Sequence, residues 1–130
     1  MLRRIIILVV LILLSGCQSD TIKPAKNGYF QQKIVYHVSD INNARRAMVN
    51  IKNHLATLGD ENADIVLVTN GSGVLAMMEG AKDSKGGLYS SRIHGLASSG
   101  VKFQICEISL RAKKIDHSNL VLNTSLVPSG

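Results

Sequence analysis

Hydrophobic residues recur along the chain with two periods, one typical of strands and the other typical of helices. The segment "KIVYHV" (residues 33–38) is short and rich in β-branched and aromatic residues, which predicts a strand. Ser39 and Asp40 offer helix-capping side chains, and Gly59 ends the helical pattern that follows. The apolar positions of that pattern are Ile41, Ala44, Met48, Ile51, Leu55 and Leu58. A second strand is predicted for "DIVLVT" (64–69), which is apolar on both faces, as in a parallel sheet covered on each side by helices.

The second half of the chain continues this alternation. After the loop "NGSG" (70–73), a short apolar stretch over 74–78 is predicted to be helical. A longer helix is predicted over 88–99 with Gly100 as its C-cap, followed by a third strand in "VKFQIC" (101–106). Three short elements are predicted next: a helical turn or two in "EISLRAKKI", another in "DHSNL" and a strand in "TSLVPS". The alternation predicts an α/β fold with a parallel sheet and right-handed crossovers.

The first sixteen residues have the pattern of a secretory signal peptide and not of a domain. A basic start over 1–4 precedes an unbroken run of ten apolar residues over 5–14, and small residues follow. Ten residues are too few to cross a bilayer as a helix, which needs about 20, so a transmembrane anchor is the weaker interpretation. The sequence "LSGC" (14–17) resembles the lipobox of bacterial lipoproteins, in which the cysteine, here Cys17, is acylated and becomes the first mature residue. The alternative is an ordinary signal peptide in which Cys17 is incidental.

These features predict three segments and a location. Residues 1–16 form a lipoprotein signal peptide, the polar stretch 17–32 forms a tether, and 33–130 form one domain. The protein is therefore expected to be exported and anchored through lipidated Cys17 at the periplasmic side of a bacterial membrane. Because residue 18 is Gln and not Asp, lipoprotein sorting implies the outer membrane where the organism has one.

Composition and charge exclude several classes of function. With 45% hydrophobic and 18% charged residues, the chain is globular and not disordered. Loss of Arg3 and Arg4 with the signal peptide lowers Lys plus Arg from 15 to 13 against 9 acidic residues, so the net charge falls from +6 to +4. No basic run interleaved with aromatic residues is present, so no nucleic-acid partner is expected. The four histidines have no metal-site spacing, so neither a metal nor a cofactor is expected.

Candidate site residues follow from the predicted sheet. In open parallel sheets, ligands bind beyond the carboxyl ends of the strands, where three features lie here: His37, the 70–73 loop and Cys106. The loop opens a helix, so its amides could face an anion, although two glycines also suit an ordinary turn. Its residues are Asn70, Gly71, Ser72 and Gly73. A lone histidine at a strand end usually satisfies a local hydrogen bond.

Cys106 is the strongest of these candidates. Acylation of Cys17 would make Cys106 the only free thiol in a compartment where thiols are usually paired. Arg111, Lys113 and Lys114 follow it closely and favour a thiolate, whereas the neighbouring Glu107 opposes one. Free cysteines are also among the most buried residues, so the local pattern alone does not decide between a reactive thiol and a packing residue.

The segments quoted above also resemble a known family. The stretches "KIVYHVSD", "NIKNHLATLG", "DIVLVTNGSGV", "LASSGVKFQICEISLRAKKI" and "LVPSG" together resemble the DsrE/DsrF-like, or YchN-like, family over residues 33–130. The most specific part is a strand-borne cysteine motif followed by a leucine and basic residues. Its members here are Gly100, Val101, Phe103, Cys106, Leu110 and Arg111. The resemblance implies a Rossmann-like three-layer sandwich with a mostly parallel sheet of four to five strands and helices on both faces.

The resemblance also implies a function. In sulfur-relay members the matching cysteine carries a persulfide, so Cys106 would be the catalytic residue of a sulfur carrier or sulfurtransferase-like protein with sulfur donor and acceptor proteins as partners. From their charge and position alone, and not from the resemblance, Arg111, Lys113 and the amides of 70–73 are expected to stabilise the anionic thiolate or to bind an anionic donor such as thiosulfate. Trimers or hexamers are expected, and 33–130 would lack the family's last helix and strand. Two alternatives stay open on the same fold: a non-catalytic oligomeric binding protein and a redox-responsive thiol protein.

Overall fold

Four strands and three α-helices alternate in the computed structural model, which describes residues 28–130. The elements are β1 (Gln32–Val38), α1 (Ile41–Leu58), β2 (Ala63–Thr69), α2 (Tyr89–Ser98), β3 (Lys102–Cys106), α3 (Glu107–Lys113) and β4 (Thr124–Val127). Short 3-10 helices span Asp60–Asn62, Gly71–Met77 and His117–Asn119. The predicted signal peptide, Cys17 and most of the predicted tether lie outside the described residues. None of the helices in 28–130 has both the length and the apolar character needed to cross a membrane.

The four strands form one sheet in the order β1-β2-β3-β4, and every neighbouring pair is parallel. Val38 pairs with Thr69, Thr69 pairs with Ile105, and Cys106 pairs with Val127. The carboxyl ends of all four strands therefore meet at one edge of the sheet. This arrangement confirms the predicted α/β class and the Rossmann-like parallel sheet, here with four strands.

Helix α1 forms for the reasons that its sequence suggests. The Asp40 carboxylate accepts a hydrogen bond from the Asn42 amide, which satisfies one of the free N–H groups at the helix start. At the other end Gly59 has a φ of 84° and donates its N–H to the Leu55 carbonyl. The buried residues of α1 are Ala44, Met48, Ile51, Leu55 and Leu58. All belong to the apolar pattern that predicted the helix.

The two faces of the sheet differ in burial. In β1, Ile34 and Tyr36 point towards the helices, and the Tyr36 hydroxyl lies 3.1 Å from Nδ1 of His54 on α1. On the same face, Phe103 and Leu67 are fully buried. On the opposite face Val35 is 69% exposed. The two faces of β2 differ in the same way, because Ile65 and Leu67 are fully buried whereas Val66 and Val68 are only half-buried.

Element boundaries differ from the prediction by small steps. Strand β1 begins at Gln32, one residue earlier than expected, and the Gln32 side-chain oxygen lies 3.2 Å from Nε2 of His54. The stretch predicted as helical over 74–78 is a 3-10 helix that already begins at Gly71. This early start matters for the site, because it holds the 70–73 loop against the strand edge.

Candidate functional site

Cys106 occupies a junction between two elements. It is the last residue of β3, an interior strand, and also the N-cap of α3, which begins at Glu107. Its φ of −67° and ψ of 114° are the extended geometry of an N-cap residue. The residue is only 3% exposed. The sulfur therefore lies at the carboxyl edge of the sheet, as predicted, but beneath other atoms and not at the open surface.

Hydrogen-bond donors around the sulfur favour its anionic form. The Ser109 hydroxyl has the largest effect and lowers the pKa of the Cys106 thiol below its ordinary value. Burial acts in the opposite direction, because a desolvated thiolate is disfavoured. Backbone N–H groups of Ser109, Gly130 and Ile108 lower the pKa further. The net direction is downward, so these donors outweigh the burial that a packing cysteine would experience alone.

Ser109 links the thiol to the loop after β2. Its Oγ accepts a hydrogen bond of 2.9 Å from the backbone N–H of Gly71. Sequence analysis did not identify Ser109 as a site residue. Its spacing could have identified it. Ser109 is the third helical residue after the N-cap Cys106, and this position faces the capping side chain.

Gly130 lies against Cys106. A Cβ placed on Gly130 would lie 3.5 Å from the Cys106 Cβ and 2.7 Å from Cγ1 of Val68, so the backbone passes close to both. The Asn70 side-chain amide donates a 3.0 Å hydrogen bond to the Gly130 carbonyl. Oδ1 of the same side chain is buried without a hydrogen-bond partner among the described residues. Asn70 thus holds the segment that covers the thiol.

The 70–73 loop lies beside the Cys106 region, but the backbone amides of Asn70, Gly71 and Gly73 already have protein acceptors. Asn70 donates its backbone N–H to Val38, and Gly73 donates its own to Ser39 and Asn70. The Ser72 hydroxyl accepts from the Ile41 amide at 3.3 Å and so faces the start of α1. The structure therefore joins Asn70 and Gly71 to the thiol region, whereas Ser72 and Gly73 support the β1–α1 junction. Their predicted role in binding an anion stays a prediction.

The cations that follow Cys106 in sequence lie away from it in space. Arg111 and Lys113 occupy the last turn of α3, the end opposite to Cys106. Nη1 of Arg111 lies 3.9 Å from Oε2 of Glu107, and the Arg111 side chain is 70% exposed. The strongest influences on the thiol pKa are hydrogen bonds and burial, and not these charges. Arg111 as a binding residue stays a prediction.

Other predicted or conceivable features lie elsewhere. His37 is exposed on the open face of β1, where its backbone pairs with Val68. Within 28–130 no cluster of three or more His, Cys, Asp or Glu side chains is arranged to hold a metal ion. A groove of about 410 Å³ runs between α1 and α2 beside Met48, Lys52 and Arg92. It does not include the thiol, which has its own enclosed surroundings.

Several solved structures resemble this chain, and two of them show the likeness. The protein MTH1491 of Methanobacterium thermoautotrophicum, described as a protein of unknown function, is 27% identical, with a TM-score of 0.64 over 75% of this chain and 83% of that one. The YchN protein of E. coli is 18% identical, with a TM-score of 0.53 over 73% of this chain and 81% of that one. The chain has the fold of YchN. The likeness supports the DsrE-like resemblance at the level of the fold. No protein-family model and no curated protein matches the chain.

The contact between Asn70 and Gly130 predicts how the thiol is reached. Asn70→Ala removes the hydrogen bond that holds the covering segment, so the native protein should react faster with a thiol reagent at Cys106. Loss of one hydrogen bond predicts about a threefold to tenfold increase. The rate is measured by mass spectrometry of the Cys106 peptide, with Asn50→Ala on the exposed side of α1 as the control. An unchanged rate in Asn70→Ala would show that this contact does not control access.

Proposed function

We propose that this protein is an exported, lipid-anchored sulfur carrier with sulfurtransferase-like activity, and that Cys106 carries the sulfur as a persulfide. The observation that carries the proposal is the position of Cys106 at the carboxyl end of an interior parallel strand and at the start of a helix, where its thiol pKa is lowered despite burial. A thiolate is the nucleophilic form of cysteine, and donors gathered around one sulfur are typical of a reactive thiol. The YchN-like fold is consistent with this role.

The proposed chemistry consists of two balanced transfers. The Cys106 thiolate attacks the outer sulfur of a persulfide donor, the donor's sulfur–sulfur bond breaks, and the donor leaves as a thiolate. With thiosulfate as the donor, sulfite leaves instead. An acceptor thiolate then attacks the outer sulfur of the Cys106 persulfide and releases Cys106 as a thiolate. Sulfane sulfur moves at both steps, and no external oxidant or reductant is consumed.

Access to the thiol is part of this proposal. Because Cys106 is 3% exposed, a donor protein reaches the sulfur only after the Gly130 segment moves aside. The movement would also release the side-chain N–H of Asn70 from the Gly130 carbonyl. Together with the buried Oδ1 of Asn70, this would provide one donor and one acceptor beside the sulfur for the incoming group. Gly71 lies next to this region through its bond to Ser109, whereas Ser72, Gly73 and Arg111 would contact only a donor large enough to extend beyond it.

The location and the assembly state belong to the same proposal. Cys17 would carry the lipid and hold the domain at the periplasmic side of the membrane, so the sulfur donor and acceptor would be exported proteins or small molecules. The trimer or hexamer implied by the family resemblance would bury surface of the domain. The face of the sheet where Val35 is 69% exposed also carries the half-buried Val66 and Val68, and this apolar surface is what such an assembly would cover.

A second candidate function is supported by the same burial. A 3% exposed cysteine is also typical of a packing residue, which would make the protein a non-catalytic binding protein on this fold. The groove between α1 and α2, with the cationic side chains of Lys52 and Arg92 at an apolar floor, is where such a protein would hold a ligand. The two candidates differ in whether the native thiol accepts sulfur.

The intact mass of the native protein distinguishes the sulfur carrier from the non-catalytic binding protein. Native protein incubated with thiosulfate or a small persulfide should gain about 32 Da, the mass of one sulfur bound covalently at Cys106. A small thiol added afterwards should remove the gain. Cys106→Ser is the matched control and should gain nothing. Absence of the gain in the wild-type protein, or an equal gain in Cys106→Ser, would contradict the proposed role of Cys106.

The anchor is tested separately at Cys17. Cys17→Ala should abolish incorporation of labelled palmitate and should move the protein out of the membrane fraction, because a lipobox without its cysteine is not acylated. Cys106→Ala is the control and should keep both the label and the membrane location. Unaltered labelling and fractionation in Cys17→Ala would show that the lipid anchor is absent.

A further inference from the structure

We propose that the groove between α1 and α2 binds a small aliphatic carboxylate, with its carboxylate beside Lys52 and Arg92 and its chain along the apolar floor. The groove has a volume of about 410 Å³, which lies in the range of small-molecule sites. Cys106 does not line it, so the inference rests on the groove and holds whether or not the thiol accepts sulfur. It names the class of ligand for the second candidate function.

The floor of the groove is apolar and narrow. Met48 and Leu55 of α1 and Leu96 of α2 contribute to it, and all three are buried. The lining positions on α1 are 48, 49, 52, 55 and 56, which repeat every three to four residues and so belong to one face of the helix. Across the groove the lining runs from position 91 to 99, which is about 12 Å at the rise of an α-helix. An unbranched chain fits such a shape.

Gly95 leaves the space above this floor open. It lies inside α2 and has no positive φ, so its backbone conformation does not require glycine. A Cβ added at Gly95 would meet no atom within 4 Å, so close packing does not require glycine either. Glycine destabilises the interior of a helix relative to alanine. The groove accounts for this glycine, because a longer side chain at position 95 would occupy the space of a ligand.

Arg92 is held at the groove by a buried carboxylate. Its Nε and Nη2 donate to Oδ2 of Asp83 at 3.2 and 2.9 Å. Oδ1 of Asp83 accepts from the backbone amides of Lys85 at 2.8 Å and Gly87 at 3.0 Å, so the carboxylate is itself fixed. A guanidinium group has five N–H donors, and the two bonds to Asp83 leave the others for a ligand. Planar N–H donors that are fixed in advance suit a ligand carboxylate.

Positive charge is concentrated near the starts of the two helices. Nε of Arg45 on α1 lies 3.4 Å from the same Oδ2 of Asp83, so two guanidinium groups share one carboxylate. One positive charge is left in excess there, and the exposed Lys52 adds another at the groove. The acidic residue of the lining, Asp60, follows the end of α1. This distribution favours an anion whose charged group points towards the starts of the helices.

The test is isothermal titration calorimetry of octanoate into the full chain at neutral pH. The wild type should bind octanoate saturably, and it should bind octan-1-ol, which has the same chain without the charge, at least tenfold more weakly. Gly95→Leu should keep or raise the melting temperature, because leucine is the better helix former, and yet weaken octanoate binding at least tenfold, because its side chain fills the groove. Gly95→Ala should also raise the melting temperature, with a smaller loss of affinity, and it decides the question if Gly95→Leu is not folded.

A second pair of variants tests the charge. Lys52→Gln should weaken octanoate binding about threefold, since exposed ion pairs are weak, and should leave octan-1-ol binding unchanged. Lys33→Gln removes an exposed cation from β1 and is the control, which should bind both compounds like the wild type. Equal affinity for octanoate and octan-1-ol would overturn the recognition of a carboxylate. Undiminished octanoate binding in Gly95→Leu, or no saturable binding to the wild type, would overturn the site.

These outcomes are independent of those that test the sulfur carrier. Cys106→Ser should bind octanoate like the wild type, and loss of binding in this variant would contradict a site separate from the thiol. Where the wild type gains about 32 Da from a sulfur donor, Gly95→Leu should gain it too. A protein whose Cys106 gains sulfur but which does not bind octanoate would overturn the groove proposal and leave the carrier function intact.

Discussion

The direct passage of β3 into α3 is the constraint on which the site depends. With no connecting residue between Cys106 and Glu107, one residue both ends the strand and caps the helix. Strand β3 is an interior strand of the sheet, and Cys106 lies at its carboxyl end, where the loops that follow the neighbouring strands meet. The backbone amides of Ile108 and Ser109, at the start of the helix, lower the pKa of the same thiol. If residues were inserted between β3 and α3, the thiol could not lie both at the edge of the sheet and at the start of the helix.

Burial and charge act against each other at this thiol. Removal from water disfavours the thiolate, and yet the same burial strengthens each hydrogen bond that reaches the sulfur. The thiol pKa is nevertheless lowered, by groups from three places: the start of α3, the Ser109 side chain and the Gly130 backbone. The last of these also covers the thiol. The thiol is thereby kept from solvent, with 3% of its residue surface exposed.

The sequence predicted the framework well because its signals are local. The apolar spacing of α1 and the capping side chain of Asp40 determine that helix without help from distant residues. The position of Cys106 at the sheet edge could also be predicted, since it needs only the order of strands and helices. The difference in burial between the two faces of β2 could not be predicted, because both faces are apolar while, among their apolar residues, only Ile65 and Leu67 are fully buried.

The surroundings of the thiol were harder to predict, for two physical reasons. Arg111 is close to Cys106 in sequence, but the helix carries it to the opposite end of α3, where it lies near Glu107. Conversely, Gly71 and Asn70 are far from α3 and Gly130 in sequence, and only the parallel register of β2 and β3 brings them together. Arg111 is therefore farther from Cys106 than its position in the sequence suggested. The contacts of Asn70 with Gly130 and of Gly71 with Ser109 could not be predicted from their positions in the sequence.

The central claim is that the folded protein stabilises Cys106 as a thiolate. The most direct measurement is the ultraviolet absorbance of the thiolate as a function of pH, taken as the difference between wild-type protein and Cys106→Ser so that other groups cancel. The account predicts a single transition with a midpoint below the ordinary thiol value of about 8.5. A midpoint at or above that value would contradict it and would identify Cys106 as a buried packing residue.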